Sequence, residues 1–125
     1  MIADQLKAVH AAAQSTPDLR LLVLFGSRAR GDQHSKSDWD FAFLGDIDQL
    51  GLRSQLTDAL VTESVDLVDL ARASGLLRFR VATEGQVVFE RTSKTFEEFA
   101  IAAALYWYDV EPIVREAHAE LIAGL

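Results

Sequence analysis

Asp38 and Asp40 stand two residues apart in the segment Asp38-Trp39-Asp40-Phe41-Ala42-Phe43-Leu44. In an extended strand that spacing puts both carboxylates on one face, with Cα atoms roughly 6.6 Å apart. Their oxygens can then converge on a hard divalent cation such as Mg²⁺, which takes oxygen ligands and shares them with phosphates. Upstream, Gly26-Ser27 directly follows the apolar run Leu21 to Phe25. Glycine permits close backbone approach, the N–H groups opening a short helix point outward, and the serine hydroxyl donates as well; together they form a phosphate cradle. Arg28, Arg30 and Lys36 add positive charge nearby, and Arg28, adjoining the Gly-Ser pair, is grouped with Gly26 and Ser27 as nucleotide-binding. Carboxylates and cradle on neighbouring segments make a metal-dependent nucleotide site.

The elements that must position these groups are readable from periodicity. Leu21 to Phe25 has the continuous apolar character of a strand buried on both faces. Trp39, Phe41 and Phe43 fix the core face of the next strand, so Asp38 and Asp40 turn the opposite way, toward solvent; a one-residue slip would bury both carboxylates. Residues 2–14 form an amphipathic helix on Ile2, Leu6, Val9 and Ala13. Residues 46–63 form another, with Ile47, Leu50, Leu52, Leu56, Ala59 and Leu60 inward and Asp46 and Asp48 in the first turn, where the helix dipole favours negative charge.

Residues 64–70 are a third strand with Asp66 and Asp69 on opposite faces. An aspartate in such an apolar strand is costly unless paired or bound to metal, and the pattern leaves both open as a third carboxylate. Ser74 caps a helix running to Glu84, with Leu76, Leu77 and Val81 inward and Gly85 as its stop; Arg78 and Arg80 do not share a helix face and read as solvated, with reach for one of them to a nucleotide as the alternative. Gln86 to Glu90 is a fourth strand. A helix then runs from Thr95 to about Asp109, and Pro112 kinks it or begins a second piece carrying Ile113, Val114, Ala117 and Leu121. Tyr106-Trp107-Tyr108 cannot all face one core, which makes this cluster a candidate partner surface. His10, His34 and His118 read as structural or solvated.

The chain has 125 residues, half of them hydrophobic and a quarter charged, the composition of one globular domain over residues 1–125. A net charge of −7 argues against direct nucleic-acid binding, which needs a basic face, and suits a basic protein partner. Cysteine is absent, so disulfides and thiolate metal sites are excluded, in keeping with a reducing cytoplasm. No signal-peptide pattern and no apolar run of membrane-spanning length is expected.

Gly26-Ser27, ten residues and then Asp38-x-Asp40 resemble the signature of the DNA polymerase beta-like nucleotidyltransferase superfamily. The fuller strings GSRARG and SDWD most resemble its minimal, single-domain branch, the MNT partners of HEPN-domain toxins. The resemblance implies an α/β, nucleotidyltransferase-like fold, a small mixed sheet of about four strands with packed helices. It implies transfer of AMP from ATP to a hydroxyl, a tyrosine of a cognate HEPN ribonuclease toxin, with the chain as antitoxin of the pair. Asp38, Asp40 and, from its VDLV context, Asp66 would be catalytic and would hold one or two Mg²⁺; Gly26 and Ser27 would take the β- and γ-phosphates. Asp69 would cap or pair instead. A stand-alone small-molecule adenylyltransferase is an alternative that would need a second acceptor-binding unit. A purely binding antitoxin is another, and a polymerase or tRNA-end enzyme is disfavoured by charge and size.

Overall fold

A computed structural model describes residues 2–125, with side chains from Asp4 onward, so the expected inward Ile2 lies outside the described side chains. The elements are α1 (Ile2–Gln14), β1 (Leu19–Phe25), α2 (Ser27–Arg30), β2 (Trp39–Gly45), α3 (Gln49–Leu60), β3 (Val65–Asp69), α4 (Gly75–Glu84), β4 (Gln86–Glu90) and α5 (Thr95–Ala123). The four strands form one sheet in the order β3-β2-β1-β4. β1 is antiparallel to both neighbours, and β2 and β3 are parallel. The sheet is mixed and four-stranded with helices packed on it, as the resemblance implies.

β1 is central and its apolar run is divided between two cores. Leu22 and Leu24 face α1 and α3, joining Val9, Ala13, Trp39, Phe41, Phe43, Leu52 and Leu56. Leu21, Val23 and Phe25 face α4 and α5, joining Ala42, Leu70, Val81, Phe99 and Ala103. The aromatic face of β2 is therefore inward as its alternation requires. The opposite face is covered as well, which alternation alone did not reveal, and Asp40 sits half-buried where the second core ends. Gly85 stops α4 as expected, with φ −69°; a side chain there would collide with the Val81 carbonyl and the Val23 side chain. Close packing rather than left-handed geometry selects that glycine.

Several local expectations change. α3 starts at Gln49, not at residue 46, because the Asp48 side chain accepts the Gly51 N–H at 3.2 Å and so closes the helix N-terminus. Asp46 lies in the connection before it, and Leu50 is 80% exposed rather than inward. In α4, Leu76 is exposed, while Arg78 is half-buried with its guanidinium 5.8 Å from the Phe99 ring centre, not solvated. Pro112 neither ends α5 nor starts another helix. It removes one N–H from the ladder, leaving the Tyr108 carbonyl without its helical donor, in an exposed stretch where solvent can take that bond. Trp107 is half-buried and stacked on Phe79 at 6.1 Å, which makes it an anchor of α5; Tyr106 and Tyr108 are the exposed members of that cluster.

Phe41 is fully buried at the centre of the α1–α3 core. Phe41→Ala is expected to cost about 3–5 kcal/mol through lost transfer energy and a residual cavity. Leu50→Ala should change stability by less than about 0.5 kcal/mol. Urea unfolding of both variants checks the pair, and a costly Leu50→Ala would contradict the placement of α3.

Candidate active site

Strand register brings the chemistry together. Phe25, the last residue of β1, pairs with Asp40, and Asp40 pairs in turn with Asp66 of β3. Paired residues on adjacent strands lie about 4.8 Å apart and point to the same side. Val68 and Leu70 belong to the core on that side, so Asp66 shares the face of Asp40. Asp69 pairs with Phe43, on the other face. Its Oδ1 accepts the Ala71 N–H at 3.0 Å, and Oδ2 lies 3.9 Å from Arg72. Asp38 precedes β2 and is exposed, as is Asp66.

Gly26 follows Phe25 and caps α2 with φ +75°, a conformation that L side chains rarely adopt. Any Cβ there would also collide with the Asp40 carboxylate. The glycine is required twice, by its backbone and by the carboxylate packed beneath it. No side chain caps α2, so the first-turn N–H groups of Ser27 and Arg28 lack intrahelical partners in a turn that adjoins Asp40 through Gly26.

Arg28 and Arg30 divide their tasks in a way the spacing did not indicate. The Arg28 guanidinium lies 4.2 Å from the Trp39 ring centre and donates to the Ser37 carbonyl at 2.9 and 3.3 Å. Trp39 faces away from Asp40, so the structure does not bring the Arg28 side chain to the carboxylates; it ties down the loop that ends at Asp38. A cavity of about 280 Å³ opens on that side, lined by Arg28, Lys36, Ser37, Trp39 and Ser64 among others, and none of the three aspartates borders it. Arg30 is the cation whose charge acts on Asp40. It is held by Asp32 and Glu84, each at 3.3 Å, and Gln86 donates to the Ala29 carbonyl at 2.8 Å. Glu84 and Gln86 thus brace the α2 turn from far along the chain, and no local sequence signal marks them.

The Asp40 carboxyl is raised above its ordinary range, first by burial, then by the negative charges of Asp66 and Asp38, with Arg30 opposing. This donor set fits a hard divalent cation: oxygen ligands from two strands and a loop, with repulsion that a bound cation would relieve. Among the described residues, no three such side chains are drawn close enough to form a finished cage. The fit therefore rests on the chemistry of the donors.

A folded-state value above the ordinary one means that folding favours the protonated carboxyl. That contribution is complete below the ordinary carboxylate range and is lost as pH rises through the folded value. Asp40→Asn should therefore raise the thermal midpoint at neutral pH, and the gain should vanish below about pH 4, where the wild-type group is itself neutral. Melting curves across pH in the presence of EDTA test this; a gain independent of pH would remove the electrostatic account.

The family model described as "Polymerase beta, Nucleotidyltransferase" matches residues 7–94, which include the Gly-Ser turn and all three aspartates. The protein adenylyltransferase MntA of Shewanella oneidensis is 37% identical over 103 residues, 78% of this chain and 73% of that one. The protein of the same name from Aphanizomenon flos-aquae is 34% identical over 97 residues, 66% of this chain, and the match spans 65% of that relative's length. A solved toxin–antitoxin structure with AMP-PNP superposes with a TM-score of 0.72 at 31% identity, over 90% of this chain and 98% of that one. A tri-AMPylated Shewanella oneidensis HEPN toxin in complex with MNT antitoxin gives 0.68 at 28% identity, over 94% and 99%. Sequence match, fold and the turn-and-carboxylate arrangement agree, and the chain belongs to the polymerase beta nucleotidyltransferase family.

Proposed function

We propose that this chain is a Mg²⁺-dependent protein adenylyltransferase that moves AMP from ATP to a tyrosine hydroxyl of a cognate HEPN ribonuclease toxin, and so serves as the antitoxin of the pair. The observation that carries the reading is the row Phe25–Asp40–Asp66, with the Gly26 turn directly above its central carboxylate. The relatives named protein adenylyltransferase and the toxin–antitoxin complexes that share the fold support the choice of acceptor. Residues 1–125 act in this reading as a single catalytic domain. No helix among the described residues is long and apolar enough to cross a membrane, and a cytoplasmic site of action fits a ribonuclease partner.

In this mechanism Gly26 lets the triphosphate approach the backbone, and the Ser27 and Arg28 N–H groups and the Ser27 hydroxyl donate to its terminal phosphates. Asp38, Asp40 and Asp66 would hold one or two divalent ions; bound Mg²⁺ supplies neutralising charge on the triphosphate oxygens. Asp40 must ionise to act as a ligand, so cation affinity should fall as pH drops through its raised range. Asp66 is exposed on an edge strand, where a macromolecular acceptor can reach it, and it takes or orients the proton of the attacking hydroxyl. Arg28 positions Asp38 by fixing the preceding loop, while its backbone N–H serves the phosphates.

Titration calorimetry should detect ATP binding with Mg²⁺ and lose it in EDTA, since the carboxylates repel a bare triphosphate. Asp38→Asn and Asp40→Asn should each slow transfer by roughly a thousandfold, as several kcal/mol of charge stabilisation is lost. Either variant retaining a tenth of the rate would exclude that residue as a metal ligand. Mass spectrometry should find AMP, singly or in multiples, on a toxin tyrosine. An unmodified toxin still silenced by the Asp38→Asn chain would replace catalysis with simple occlusion.

Asp66 and Asp69 should separate cleanly. Asp66→Asn is expected to abolish transfer while preserving Mg-ATP binding. Asp69→Asn, which weakens the hydrogen bond to the Ala71 N–H, should retain activity and lower stability by about 1 kcal/mol. The reverse pattern would assign the opposite face of β3 to the nucleotide.

A further inference from the structure

α5 carries one apolar stripe along its whole length. Phe99, Ala103, Tyr106, Val110, Ile113, Ala117 and Leu121 recur at steps of four and three, which keeps them on one side of a helix. The first two are buried against the sheet and α4. Beyond Trp107 and Tyr108, whose rings rest on Phe79, the body of the protein runs out but the stripe does not. Every residue from Pro112 to Leu125 is exposed, with Ile113 at 67% and Leu121 at 68%. At about 1.5 Å per residue the projecting part extends roughly 20 Å. A helical end of this length has little stability of its own, and it presents a core-type face that none of the described residues covers. The family match stops at residue 94, so α5 lies outside the part that carries the shared chemistry.

Charge selects the kind of partner. Asp109, Glu116 and Glu120 fall together along one edge of the stripe, while Glu111 is occupied by Arg115 at 3.0 Å. An antiparallel, symmetric pairing of two copies would set this acidic edge against itself, and a parallel one would bring together two bodies of net charge −7. A helical surface whose apolar groove is bordered by lysine or arginine satisfies both features.

We infer that the projecting half of α5 is the docking element for the toxin: its apolar stripe seats in a groove of the toxin, and its acidic edge meets basic residues beside that groove. This rests on the proposed function for the partner's identity. The aromatic cluster at 106–108 then marks the boundary between the two halves of the stripe, with Trp107 fastened to the body.

The test uses the full chain and the purified HEPN toxin that the proposed function assigns to it. The double variant Ile113→Glu, Leu121→Glu alters exposed positions only, so melting temperature and Mg-ATP affinity should match wild type. Its affinity for the toxin should fall by at least about tenfold, as expected for the loss of two interface anchors. Transfer should show a raised KM for the toxin with kcat retained. Glu116→Lys, Glu120→Lys should weaken binding and flatten its salt dependence. Wild-type transfer together with undiminished toxin binding by the double variant would overturn the docking surface and leave the reaction standing. A wild-type chain that neither binds nor modifies the toxin would overturn the partner reading and this inference with it. Light scattering that shows a wild-type dimer, absent in the double variant, would assign the stripe to a second copy instead.

Discussion

Two carboxylates placed side by side on adjacent strands repel each other, and the site depends on the sheet holding them there. Asp40 and Asp66 occupy paired positions in a parallel ladder, so their separation is set by strand spacing rather than by side-chain choice. Asp40 is further confined by Gly26 above it and by the core beside it, and its carboxyl is raised in consequence. The arrangement stores an unfavourable interaction that a divalent cation, bound as proposed, would relieve. Position and chemistry are thereby coupled: the strand paired with Asp40 ends, at Phe25, at the Gly26 turn proposed to meet the phosphates.

The two cores serve this arrangement differently. The α1–α3 side buries Trp39, Phe41 and Phe43 and so locks the register of β2. The α4–α5 side ends at Asp40 and supplies the partial burial that shifts it. The α2 turn is too short to hold its own orientation and is braced by groups from elsewhere. Arg30 reaches Glu84, and Gln86 reaches the Ala29 carbonyl. Arg28 holds the loop leading to Asp38 from the far side of β2. The exposed ion pairs are individually weak; their effect is to limit the conformations open to a short turn beside the carboxylates.

α5 joins two environments with one helical pattern. Its first half is a core helix, anchored by Phe99, Ala103 and the stacking of Trp107 on Phe79. Its second half keeps the same apolar face with no partner among the described residues. Pro112 falls in the exposed part, where one missing backbone donor matters little. A single continuous helix therefore links the body of the domain to an exposed apolar face that none of the described residues covers.

The residues themselves determined the strands, the order of elements and the identity of the Gly-Ser turn and the Asp38-x-Asp40 pair, because these depend on local periodicity and short spacing. The alternation in β2 was sufficient to choose its aromatic core face. Alternation in β3 could not choose between Asp66 and Asp69, since each side of that strand carries one aspartate; register with β2 placed Asp66 beside Asp40. Leu50 and Leu76 fit helical stripes yet lie exposed, because periodicity gives a direction and not the extent of the neighbour that covers it. The half-burial of Asp40, the turning of Arg28 toward Trp39 and the bracing by Glu84 and Gln86 join segments distant in the chain. Such contacts exist only after the sheet has assembled. The same holds for the stripe on α5: its spacing is written in the sequence, but where it leaves the core is set by where the sheet ends.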